Sequence, residues 1–192
     1  VDGCSRVCSH QLVRHRHASY VQLSQRRGLG VVKDFVERAA KFVDRPCRPG
    51  DYMCFALALG KFEEKLAAEG NKARLWEMIE AVEASFQMPP SVRLDEQLAR
   101  EYARYLVDAV KFYLVMLGRG IPFEDARFAL PQAVRTKLVV AMNARELVTS
   151  FLPLRMCARA QWEIREVAWK LWHKLKAVHP RLFKYAGPRC VL

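Results

Sequence analysis

Between residues 31 and 117 apolar side chains recur every three to four positions, a period that a helix converts into one buried face. Residues 31–44 align Val32, Phe35, Val36, Ala39 and Val43, and residues 52–69 align Phe55, Leu59, Phe62 and Leu66. Residues 72–86 repeat the pattern with Leu75, Ile79, Val82 and Phe86. Residues 95–117 extend it over Leu98, Tyr102, Tyr105, Leu106, Ala109, Val110, Tyr113 and Leu117. Breakers separate these runs: Pro46 and Pro49 with Gly50, then Gly70-Asn71, then Pro89-Pro90, and finally Gly118 and Gly120. A chain written this way must bury helix against helix. Two further helices are predicted at 132–143 and at 156–178, the latter with Ile164, Val167, Leu171, Trp172 and Leu175 as its stripe. A short strand entering a helix is expected around 5–14, and residues after Arg16 read as a loop or extended piece.

With 192 residues and 52% apolar content, the chain can bury one ordinary core. No run approaches the roughly 20 apolar residues of a membrane span, and the start lacks a signal-peptide pattern. A cytoplasmic protein is therefore expected. Cys4, Cys8, Cys47, Cys54, Cys157 and Cys190 form no paired CxxC knuckles, so they are expected to be reduced, small and buried, with no metal site. His173 and His179 suit a helix C-terminus better than a ligand set.

The net charge of +12 is uneven. Residues 1–27 hold five Lys/Arg against one acid and residues 126–192 hold thirteen against three, whereas 28–125 is nearly balanced. The positive ends suit phosphorylated ligands, and nucleic acid fits the same count. The densest cluster is 11–27, QLVRHRHASYVQLSQRR, where Arg14, His15, Arg16, His17 and Arg26 stand among Ser19, Gln22 and Ser24. If helical, Arg14 and Arg16 would point to different sides, about 100° per residue apart, and hold different anions. Arginine's rigid fork suits phosphate and carboxylate.

The spacing Arg14-His15-Arg16, seven residues, Ser24 resembles the hallmark motif of the flavin-dependent thymidylate synthases. Further blocks agree in order: Gly120-Ile121-Pro122 with Glu124-Asp125-Ala126-Arg127 and Leu130-Pro131, then Asn143-Ala144-Arg145, Leu154-Arg155, and residues 160–165, AQWEIR. The resemblance covers about 1–27 and 88–190. It implies an α+β fold, a helix-rich single domain with a small mixed sheet over 1–192, carrying a helical insert at 28–87. The family's N-terminal strand and helix, with flavin contacts of their own, would be missing.

The same resemblance implies methylation of dUMP to dTMP, with methylenetetrahydrofolate as carbon donor, reduced FAD as hydride donor and NADPH as reductant, in a homotetramer. It assigns dUMP to Gln11, Arg14, Gln22, Ser24, Arg26 and Arg127. It assigns FAD to Arg14, His15, Arg16, Gln22, Asn143 and Arg145. Arg155 would be the catalytic residue, stabilising negative charge on the pyrimidine ring. On residue chemistry alone, Ser24 reads as a hydrogen-bond donor rather than a nucleophile, and Arg127 or Arg155 as a helix-surface salt-bridge partner remains open. Three departures stand out. Arg27 replaces a tyrosine, Thr149 replaces an amide or histidine, and one residue more than the family pattern separates Asn143 from Arg155. An added residue rotates the remainder of a helix by about 100°, and Pro153 interrupts the ladder, so Arg155 needs a bulge or break to reach its place. A truncated or degenerate non-catalytic relative that binds nucleotide is the alternative. A basic nucleic-acid-binding protein ranks third, since no RNA or DNA module is recognisable.

Overall fold

A computed structural model describes residues 1–25 and 28–189. The fold is α+β and helix-rich, and the chain divides into two compact units. One comprises 1–23 with 136–192, the other 24–135.

In the first unit, strand β1 (Asp2–Ser5) runs into helix α1 (Arg6–Leu12), and strand β2 (Ala18–Gln22) comes after the basic turn. Ser5 makes that strand-to-helix switch possible, because its Oγ accepts the Cys8 amide at 3.0 Å. The sheet order is β1-β3-β2, with β3 (Arg135–Met142) in the centre. β2 and β3 are antiparallel, Ala18 opposite Met142 and Gln22 opposite Leu138. Val1 and Leu138 exchange reciprocal bonds of 2.9 and 2.8 Å, the close pairing of an antiparallel ladder.

The helix expected over 132–143 is thus corrected to a strand. Thr136 and Leu138 are buried while Lys137 and Val139 are exposed, a two-residue period that puts one face inward. β-Branched Thr136, Val139 and Val140 favour that pleat, although Ala, Leu and Met suggest a helix.

After β3 come α8 (Ala144–Glu146), a π-helical stretch (Leu147–Phe151) and α9 (Leu152–Arg155). The helix expected from 156 starts later. α10 (Trp162–Val178) begins where Gln161 caps the Ile164 amide at 3.2 Å, and α11 (Pro180–Phe183) closes the unit. The core gathers Leu12, Leu138, Phe151, Leu152, Ile164 and Phe183. Beneath it, the buried Glu163 carboxylate takes both the backbone N–H and the hydroxyl of Ser5, each at 2.6 Å, tying the β1–α1 corner to α10.

The second unit adheres closely to the helical periodicity. It contains α2 (Lys33–Phe42), α3 (Tyr52–Ala68), α4 (Lys72–Glu83), α5 (Pro90–Arg93), α6 (Glu96–Gly118) and α7 (Phe123–Ala126). Asp51, Asn71 and Asp95 each cap the next helix through a side-chain oxygen. α3 lies along α6, and the Phe35, Phe62 and Phe86 rings meet edge to face beneath them.

The cysteine expectation is corrected here. Cys47 and Cys54 form a disulfide, their Cα atoms 5.7 Å apart. The proline-bounded turn at 45–50 folds back onto the first turn of α3 and brings the two together. Cys4 and Cys8 are buried free thiols, as expected of small apolar residues, Cys157 is half-buried, and Cys190 lies outside the described residues.

Three outcomes test this packing. Phe62→Ala removes a fully buried ring flanked by Phe35 and Phe42, and should cost about 3–5 kcal/mol in urea unfolding. Leu57→Ala on the same helix, 55% exposed, should change stability by less than about 0.5 kcal/mol. Glu163→Ala strands two donors of Ser5 and should cost about 1–3 kcal/mol by the same measurement.

Candidate functional site

The RHR segment sits just beyond the end of α1. Helix α1 stops at Leu12, so Arg14, His15 and Arg16 lie in a turn and diverge. His15 points inward and is 5% exposed, while Arg14, Arg16 and His17 are exposed. The Tyr20 hydroxyl on β2 braces the turn, 2.7 Å from the Leu12 carbonyl and 2.8 Å from that of His15.

Across from this turn stands the continuous helical run from α8 to α9. Asn143 starts it, its Oδ1 accepting the Glu146 amide at 2.8 Å. The π-helical stretch inside it accommodates one residue more per turn than an α-helix, and Pro153 follows it as the second residue of α9. This is a local bulge within the run. It leaves Arg155 facing the RHR turn.

Arg155 Nε donates to His15 Nε2 at 3.0 Å, Nη2 donates to the Gln11 carbonyl at 3.2 Å, and Nη1 lies 3.5 Å from Gln11 Oε1. On the other side of the imidazole, His15 Nδ1 is 3.2 Å from Glu146 Oε1 and 3.5 Å from Ser150 Oγ. The Phe151 ring packs edge-on, 5.0 Å away. Burial lowers the His15 pKa, and the Arg155 cation beside it acts in the same direction against the pull of Glu146. Burial would raise the Glu146 carboxyl, but hydrogen bonds from Ser150 and His15 outweigh it and hold the group below its ordinary value. Burial also lowers the Arg155 guanidinium pKa, without bringing an arginine near neutrality.

These groups border a cavity of about 340 Å³ lined by residues 14–17 with Glu146, Ser150, Leu154 and Arg155. Among the described residues neither Arg14 nor Arg16 has an ion-pair partner. The cavity therefore offers fixed cations to an anionic, hydrogen-bonding ligand. A larger cavity, about 770 Å³, lies in the second unit against α2 and the 44–50 turn, and none of the expected site residues lines it. Among the described residues no cluster of His, Cys, Asp and Glu could hold a metal, and no helix is long and apolar enough to cross a membrane.

The remaining expected residues stand outside this cavity lining. Gln22, at the end of β2, donates to Ser9 Oγ at 3.0 Å and lies 3.3 Å from Thr136 Oγ1. Asn143 and Arg145 are exposed at the start of α8. Ser24 is exposed in the second unit. Arg127 is half-buried there too, its Nε donating to the Glu124 carbonyl at 2.9 Å. Arg26 and Arg27 lie outside the described residues. Sequence reasoning passed over Glu146, Ser150 and Tyr20. Glu146 stands three positions after Asn143 and so reads as one half of a capping box. The cap amide contact forms, but the carboxylate turns to His15.

The family described as thymidylate synthase complementing protein matches residues 1–181. A flavin-dependent thymidylate synthase of Aeropyrum pernix is 42% identical over 202 residues, covering 100% of this chain and 60% of the relative. The Sulfolobus acidocaldarius enzyme of the same name is 40% identical over 194 residues, covering 100% and 54%. The chain thus spans between 54% and 60% of the length of these curated relatives, and the match runs through 28–87 as well. A crystal structure of the Helicobacter pylori flavin-dependent thymidylate synthase complexed with FAD and dUMP superposes with a TM-score of 0.63 at 22% identity, over 97% of this chain and 70% of that one, and so shares its fold. The chain belongs to the thymidylate synthase complementing protein family.

Proposed function

We propose that this chain acts as a flavin-dependent thymidylate synthase, methylating dUMP to dTMP with methylenetetrahydrofolate as carbon donor. The observation that carries this reading is Arg155, a guanidinium held by His15 and Gln11 at the edge of a cationic cavity. The relatives named above carry that activity in their names, and the Helicobacter pylori protein is complexed with FAD and dUMP.

The residues fit a phosphorylated, flat ligand pair. Arg14 and Arg16 diverge from one turn, so each meets a different anion, one on the nucleotide and one on the cofactor. FAD, when bound, supplies the hydride that completes the methyl group. Arg155 lies against developing negative charge on the pyrimidine and stabilises it. Both ring nitrogens of His15 are taken by Arg155 and Glu146, so His15 serves by orienting the guanidinium. Direct flavin contact then falls to Arg14, Arg16, Gln22, Asn143 and Arg145, with Gln11, Arg14 and Gln22 on the dUMP side. NADPH as reductant, a homotetramer and a cytoplasmic setting complete the proposal.

Neutral His15 is the form that accepts from Arg155, and burial depresses its pKa below the ordinary 6.5. Above that value folded and unfolded chains both hold it neutral. As pH falls, the unfolded chain takes the proton first, so stability is lost through and below the ordinary histidine value. Glu146, also depressed, works in the same direction at lower pH.

Arg155→Ala should lower tritium release from ring-labelled dUMP by roughly 100- to 1,000-fold while the purified protein keeps its flavin colour. Unchanged turnover removes Arg155 from the chemistry, and a colourless wild-type protein that still binds dUMP marks a non-catalytic relative. The thermal midpoint should fall on acidification from about pH 8 to about pH 5, and His15→Asn should flatten that dependence.

A further inference from the structure

Glu146 is itself assigned to neither substrate nor flavin, yet it is 9% exposed and its carboxylate meets the buried imidazole beside Arg155. The hydrogen count explains why. A guanidinium only donates, so the 3.0 Å contact from Arg155 Nε requires a lone pair on His15 Nε2. The neutral ring then carries its hydrogen on Nδ1, and Glu146 Oε1 at 3.2 Å accepts it. Ser150 Oγ, at 3.5 Å, stands at the limit of a hydrogen bond. Reversing the tautomer would set two donors against each other on the Arg155 side and two acceptors on the Glu146 side.

The Phe151 ring packs T-shaped against the imidazole, ring centroids 5.0 Å apart. With Nε fixed by His15 and one hydrogen on each terminal nitrogen directed at Gln11, the guanidinium keeps two N–H groups for a ligand in the cavity. We propose that Glu146 is a positioning residue for Arg155, setting the His15 tautomer that aims the guanidinium into the cavity. The proposal rests on the synthase reading for its kinetic consequence but not for its geometry.

The polar groups gathered around His15 come from each element packed against it. They are Glu146 of α8, Ser150 of the π-helical stretch, Arg155 of α9, Gln11 and the more distant Cys8 of α1, and Tyr20 of β2, with His17 in the field of Glu146. Glu146 is the carboxylate among them. Its loss therefore leaves the Nδ1 hydrogen without a strong acceptor, while the Arg155 cation stays beside the ring.

The test compares Glu146→Ala and Glu146→Gln in the full chain. Glu146→Ala should lower kcat by about 10- to 100-fold with the dUMP KM and flavin content within about twofold of wild type. Glu146→Gln, whose amide oxygen still accepts from Nδ1, should recover most of that loss and move the acid limb of kcat to lower pH. Full kcat in Glu146→Ala overturns the proposal, and so does an equal loss in both variants with an unmoved pH limb. Nitrogen-15 spectra of labelled histidine report the tautomer without turnover. They should show the Nδ1–H form of His15 in wild type and a shift toward Nε2–H in Glu146→Ala. An Nε2–H form in the wild-type chain overturns the proposal. A wild-type chain that releases no tritium sinks the synthase reading instead, and the spectra alone then decide the role of Glu146.

Discussion

A buried imidazole has two nitrogens to satisfy, and the first unit is arranged around doing so. His15 lies between a carboxylate and a guanidinium, the one taking its hydrogen and the other filling its lone pair. Each partner comes from a different part of the 144–155 helical run, and the ring itself from the turn after α1. Leaving either nitrogen unpaired at this depth would cost more than an ordinary surface hydrogen bond returns. The contact therefore holds the basic turn and the helical run in one register, and it decides which side of Arg155 faces the cavity.

That register depends on an irregularity. A regular α-helix through Leu147–Phe151 would turn Arg155 by about 100° from where it stands, since a π-turn holds one residue more. The π-helical stretch Leu147–Phe151 is wider than an α-turn, and Glu146 and Ser150, near its two ends, both reach Nδ1 of His15. π-Turns of this kind are common where a side chain must be aimed rather than merely packed.

The second unit has a plainer logic. Its helices bury Phe35, Leu59, Phe62, Val107 and Leu114 against one another, while Glu63 gathers Lys111 and Arg104 on the outside, at 2.7 and 3.5 Å. Surface pairs of this kind contribute little to stability. The apolar faces hold the unit, and the 45–50 turn is closed covalently by Cys47 and Cys54.

The helices of the second unit are legible in the chain alone, because a 3.6-residue apolar period and the capping Asp51, Asn71 and Asp95 are local signals. So is the family, through RHR with Ser24 and the ordered C-terminal blocks. β3 is not, since Arg135–Met142 carries helix-forming residues and its pleat is selected by neighbours on both sides, β1 and β2. The disulfide is equally hidden, because spacing does not say whether a turn folds back. The partners of His15 belong to the folded molecule only. Glu146 and Arg155 lie 131 and 140 residues away along the chain, and their meeting depends on how a buried ring, a π-turn and a proline settle together. Local propensity carries no information about contacts at that distance.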